Sequence, residues 1–150
     1  MNIIEKYNKL KVNWNNFKSN SDNKKVRIKD AAEILSTNEA ALLSTEIGEK
    51  IYFLKISNFE DFFIQLSNID KVMFLIRSQY VVHETTIIPS QIKYLNNKLI
   101  LNNKPDYSLI DYDIKSFKYA FYEQKKHSGR TLKSFQFFNQ FGTAVLKIYL

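Results

Sequence analysis

The chain has 150 residues and a mass of 17.7 kDa, the size of one ordinary domain that buries about 68 to 70% of its unfolded surface. It has no cysteine, which excludes disulfides, thiolate metal sites and thiol catalysis and fits a reducing compartment such as the cytosol. The net charge of +7 is segregated: residues 1–30 hold eight Lys/Arg against three acids, residues 31–70 two against seven, and residues 115–133 six against one. Such a positive face suits nucleic acid or a small anionic molecule, and the plainer alternative is a solvated lysine-rich surface.

The first stretch, MNIIEKYNKLKVNWNNFKSN, carries charges every few residues. It has neither the apolar core of a signal peptide nor the length of a membrane span, and no other stretch reaches about 18 apolar residues. The chain is therefore expected to stay in the cytoplasm without inserting into a membrane. Ile3, Tyr7, Leu10, Trp14 and Phe17 recur at spacings of three and four, which predicts an amphipathic helix docked by that stripe. After a polar break at 19–25, VRIKDAAEIL reads as a second short helix. Ser36 and Glu39 have the capping-box spacing and predict the start of a third. Two short helices joined by a tight turn suggest a helix-turn-helix, with Lys24, Lys25, Arg27 and Lys29 on phosphate. The helix that would enter the groove, 38–45, has no Arg, Lys or Gln to read a base edge, so nucleic acid is not the expected partner.

Beyond Gly48, IYFLKIS predicts a strand. Asn58 then caps a helix whose Phe59, Phe62, Phe63 and Leu66 share a stripe and whose Glu60 and Asp61 suit the positive end of its dipole. The run KVMFLIRSQYVVHE follows. Its uniformly apolar first part predicts a strand covered on both faces, and alternation resumes from Tyr80, with Val81, His83 and Thr85 on one face. Residues 86–114 break into short strand-like pieces, with turns predicted at Asn96-Asn97 and Asn102-Asn103. A strand at 117–122, a polar loop at 123–130 and a final hairpin, SFQFFNQFGTAVLKIYL, turning around Asn139–Gly142, complete the chain.

The motif chemistry is sparse. Three glycines, at 48, 129 and 142, make no phosphate loop, dinucleotide fingerprint or nucleophile elbow. His83 and His127, the two histidines, have no spacing typical of structural zinc. Asp111 and Asp113 sit two apart on a strand face and read as solvent-facing. A strand histidine, many aromatics and scattered cations together suit a flat apolar anion such as haem, although a lone strand histidine also reads as a structural residue.

RIKDAAEILSTNEAALLST, RSQYVVHE and SFQFFNQFGTAVLKIYL, in that order, resemble the first half of the haemin transport and haemin-degrading proteins of Gram-negative bacteria, the HemS/HmuS/ChuS type. The resemblance implies an α+β fold, N-terminal helices packed on a large antiparallel β-sheet of about seven to nine strands, as one half of a duplicated fold. On this reading residues 1–150 are a single domain, with a helical cap over about 1–47, and mainly sheet over 50–150 with one helix near 58–68. It implies a cytosolic haem (haemin) binding protein in haem uptake and iron utilisation. A haem-degrading enzyme that releases iron is the alternative, and a non-catalytic interaction or regulatory module without the haem site is a further one. His83, in the V-H-E pattern, becomes the candidate ligand to haem iron, with Arg77 and Tyr80 beside it. The segment where the family holds an arginine reads IDYDIKSF, leaving Lys115 as the nearby cation. The family's second-half histidine has no counterpart in this chain. The resemblance also leaves the last strand, Ala144 to Leu150, without the helices the family places after it, so self-association, or pairing with a separate second-half chain, is expected to cover it.

Overall fold

The computed structural model describes residues 2–78, 80–103 and 108–150. Helix α1 (Ile3–Ser19) opens on a reciprocal cap, in which Asn2 accepts from the Glu5 backbone and the Glu5 carboxylate accepts from that of Asn2. Its apolar stripe docks only over the second half: Trp14 is buried, while Ile3 is 83% exposed. The cause is length, since the 17 residues of α1 extend about 25 Å, against two much shorter partners, α2 (Ile28–Ile34) and α3 (Glu39–Ser44). The cap of α3 differs from the one expected. Ser36 sits at φ 53° in the turn that closes α2, and Asn38 is the residue that accepts from the Ala41 N–H at 2.8 Å. Both residue types cap well, and α2 has already taken Ser36 for its own C-terminal turn.

Among the described residues nine strands follow, and they form two sheets where one was expected. The larger has six antiparallel strands in the order β1 (Ile51–Phe53), β7 (Tyr119–His127), β8 (Arg130–Phe138), β9 (Ala144–Tyr149), β2 (Val72–Arg77), β3 (Val82–Ile87). The smaller holds β4 (Ile92–Leu95), β5 (Lys98–Asn103) and β6 (Ser108–Asp113). The split falls at Pro89, which starts a short 3₁₀ turn over Pro89–Gln91. Proline lacks the N–H that a continuing ladder would need. Asn96 and Asn97 turn the chain at φ 50° and 62° as expected, whereas Asn102 and Asn103 remain inside β5, paired with Leu109 and Ser108. The polar stretch 123–130 is no loop. It extends β7 and β8 to nine residues each around a tight turn at Ser128-Gly129, both at positive φ, the geometry that matches strand twist in a two-residue hairpin.

The six-stranded sheet has two unlike faces. On one, Val72, Phe74, Phe137, Leu146 and Ile148 pack under α4 (Phe59–Leu66) and the smaller sheet through Phe63, Leu66, Leu99 and Leu101. The other lies under the helical cap, with a small apolar cluster of Ala40, Leu43, Ile51, Phe121, Phe138 and Ala144 at one end. Gly142, at φ 72°, turns the β8–β9 hairpin so close beneath α3 that a Cβ there would collide with the Asn38 side chain. Tyr112 ties the two sheets by donating its hydroxyl to the Val145 carbonyl at 3.0 Å, and burial raises its pKa to about 12. Because the folded pKa lies above the ordinary 10.0, the stability this contributes is complete below pH 10 and is lost as pH rises from there towards 12. Tyr112→Phe is expected to cost about 1 kcal/mol at pH 7 for the lost hydrogen bond. It should also reduce the alkaline destabilisation seen in urea melts at pH 8 and 11.

Candidate functional site

Strand order decides what His83 can do. β3 is the outermost strand of the six-stranded sheet, and His83, opposite Ile76 on β2, is exposed. Among the described residues its ring has no hydrogen-bond or ion-pair partner, so both ring nitrogens are open to a ligand or to solvent. The hairpin turn beside it is unusually apolar for a surface. Tyr80 is 87% exposed and Val81, two residues from His83, 61%, around a turn closed by the Ser78 N–H on the Val81 carbonyl at 2.9 Å. Exposed apolar residues grouped beside a polar group mark binding surfaces more often than residues scattered singly do.

Arg77 does not share that surface. It pairs with Val82, one step out of phase with His83, and alternation along the strands puts its side chain under the helical cap. There it meets the carboxylate of Glu39 on α3, with both side chains almost wholly buried. Glu39 Oε1 also accepts from the Ala144 N–H at 3.4 Å, while Oε2 has no partner among the described atoms. Lys115 lies in the 3₁₀ turn Ile114–Ser116 that follows β6, exposed, its backbone N–H held by Asp113. Asp111 is answered by Lys98 at 2.9 Å across the small sheet. Among the described residues no hydrogen bond or ion pair joins any two of His83, Arg77, Tyr80 and Lys115. Nor does any cluster of three or more His, Asp or Glu suit a bare metal ion.

The cap-side face holds a second feature. Between α1, α2 and the β7–β8–β9 strands lies a cavity of about 500 Å³. Its floor is polar: Ser134 and Gln136 on β8, Glu123 on β7 and Lys147 on β9. Gln136 donates to Glu123 at 2.5 Å and to Ser134 Oγ at 3.3 Å. Lys147 stands opposite Gln136 and Leu75, and burial lowers its pKa while the nearby Glu39 carboxylate opposes that shift. Trp14 and Phe17, stacked at 5.8 Å, line it from the helix side. Sequence reading passed over these residues, yet a signal was present. In the terminal hairpin Ser134, Gln136 and Lys147 break an otherwise apolar pattern, and all three fall on one face.

No helix among the described residues is long and apolar enough to cross a membrane. No curated protein matches the sequence. Among solved structures, the chain superimposes on the haem-binding protein PhuS of Pseudomonas aeruginosa with a TM-score of 0.81 at 21% identity, covering 96% of this chain and 41% of that one. The haem-degrading enzyme ChuS of Escherichia coli O157:H7 gives 0.82 at 18% identity, with 96% and 42% covered. The haem-binding protein ChuX gives 0.72 at 16%, with 94% and 83% covered. The chain thus spans about two fifths of PhuS and ChuS, and at these identities the likeness shows the fold: N-terminal helices on a large antiparallel sheet, as in one half of the HemS/ChuS type. A family model described as "Haem utilisation ChuX/HutX" matches residues 52–150, from β1 to the last residue and through both His83 and the terminal hairpin. This chain belongs to the ChuX/HutX haem-utilisation family.

Proposed function

We propose that the protein binds haem in the cytoplasm, as a carrier in haem uptake and iron utilisation, with His83 as the ligand to iron. The observation that carries this reading is the His83 imidazole, exposed and, among the described residues, unpartnered on an edge strand beside the exposed Tyr80 and Val81 of the adjoining turn, inside the family-matched segment. The residues present fit the group: an imidazole for iron, and aromatic and aliphatic side chains for the macrocycle. Lys115 is the cation proposed for a propionate. Arg77 supports the site from beneath, by fixing the end of β2 against the cap. Haem is the cargo here, and the chain's part is to hold it and shield it from water.

An edge strand with an open face is a natural place for a second chain to complete the enclosure. A copy of this chain or a separate second half would serve. Titration of haemin into the protein should give a saturable Soret shift, and His83→Ala should weaken binding by at least tenfold while leaving the melting temperature within about 2 °C. A Soret shift unchanged in His83→Ala would reject the ligand assignment. The mass of the complex in the same titration reports the second chain, and a single-chain mass at saturation would reject it.

A further inference from the structure

The cavity between the helical cap and the sheet is on the opposite face from His83, and the haem reading leaves it unused. We infer that it is a second ligand site, for an organic anion with an aromatic body and two or more carboxylate or phosphate groups, anchored by Lys147.

Charge is the first argument. Among the described residues six cations line the cavity (Lys18, Lys24, Arg27, Lys50, Lys125 and Lys147) against two acids, Glu46 and Glu123. Lys18 is taken up by Glu46 at 2.8 Å and Arg27 by Asp30 at 2.7 Å. Among the described residues the other four cations form no ion pair. Glu123 is itself occupied by Gln136. The cavity is therefore strongly positive, and its low-dielectric walls raise the local concentration of anions.

Lys147 is the second argument. It rises from the centre of a strand, half-buried on the cavity floor, with no hydrogen bond or ion pair of its own among the described residues. Keeping an ammonium group there costs folding energy unless something compensates it. Glu39, whose free Oε2 lies buried nearby, compensates in part, but its Oε1 is committed to Arg77. An anion in the cavity would supply the partner that Lys147 lacks.

The remaining walls set the class of molecule. About 500 Å³ lies well within the range of small-molecule and cofactor sites. Trp14, Phe17, Val26, Ile28, Leu43 and Leu132 give it apolar sides, and Lys18 lies over the Trp14 ring at 5.1 Å. A bare inorganic ion would leave those walls unused. Among the described residues the lining holds no imidazole, thiolate or thioether. Iron-free tetrapyrrole dicarboxylates and nucleoside phosphates both have this chemistry, and the test separates them.

Trp14 is the sole tryptophan and part of the wall, so its fluorescence reports occupancy. The full chain is titrated with protoporphyrin IX, with ATP and with inorganic phosphate, following Trp14 emission and, in parallel, heat by calorimetry. One of the two organic probes should bind saturably at micromolar concentration, at least tenfold tighter than phosphate, and identify the source. Lys147→Met, which keeps the aliphatic stem, should weaken that binding at least tenfold with no loss of melting temperature, and Lys147→Arg should largely restore it. His83→Ala should leave it unchanged, which keeps this site distinct from the haem proposal. Failure of both organic probes, equal binding of inorganic phosphate, or full affinity in Lys147→Met would each overturn the inference.

Discussion

Glu39→Ala is expected to cost about 3 to 5 kcal/mol of stability, the size seen when one partner of a buried ion pair is removed. Glu39 is 3% exposed and is the anionic centre of the cap–sheet junction. It holds the Arg77 guanidinium, accepts from the Ala144 backbone and favours the charged form of Lys147. Its removal would leave the largely buried Arg77 and the half-buried Lys147 on the same face of the sheet without the acid they share. For a chain of this size the loss should lower the melting temperature by on the order of 10 °C. Arg77→Ala should be less damaging to the Lys147 region, because one of the two cations goes with it, yet it strands the Glu39 carboxylate. A double replacement, Glu39→Leu with Arg77→Met, should recover much of the loss, since buried pairs often exchange for apolar groups at little net cost. If each single variant melted within 1 °C of the parent, the junction would not be a buried pair in solution.

The same variants separate two roles for Arg77. Its place in the R-x-x-Y-x-V-H-E pattern makes it a candidate for haem. Its side chain, however, is committed to Glu39 on the face away from His83. The expected result for Arg77→Ala is therefore a large loss of stability with a smaller change in haemin affinity than His83→Ala produces. Equal losses of affinity would put Arg77 in contact with the ligand.

What the sequence made legible was local. Asn58 before Phe59, Phe62, Phe63 and Leu66 announces α4, because a cap and a stripe three and four residues apart act within one helix. Gly142 and the paired asparagines at 96 and 97 announce turns for a similar reason, since each residue needs only its own φ. Strand order was not legible. Whether His83 is central or at an edge depends on β9 pairing with β2 across some seventy residues of chain, and no neighbour of His83 encodes that. The Arg77–Glu39 pair spans 38 residues and joins an acid that looked like a capping residue to an arginine that looked like part of a ligand motif. Ser36 misleads as a cap because Asn38, two residues on, caps as well, and only the path of α2 decides between them. The cavity lies between these cases. The polar interruptions at 134, 136 and 147 were visible, but their meaning required knowing that the helical cap stands off the sheet there.

Phe137→Ala should be the most destabilising single change on the opposite face, at about 3 to 5 kcal/mol. Phe137 is fully buried near the C-terminal end of β8 and is the ring on which the α4 side of the core converges. Phe117 stacks on it at 4.9 Å between centroids, Phe62 meets it edge-on at 5.5 Å, and Phe59 and Phe63 lie at 6.0 and 6.4 Å. Two of the three layers of the molecule meet there, since α4 supplies three of these rings and the loop before β7 the fourth. Alanine would lose the transfer energy of the ring and leave a void that β8, paired on both sides by β7 and β9, cannot close by moving. Phe137→Leu should cost clearly less, because it refills most of the volume and forfeits mainly the aromatic contacts. Chemical denaturation of the three proteins should give this order with one common slope. The cavity and the His83 edge lie away from this cluster, so variants still folded at 25 °C should keep both binding activities. A Phe137→Ala protein that is folded but has lost haemin binding would instead link the aromatic core directly to the His83 surface.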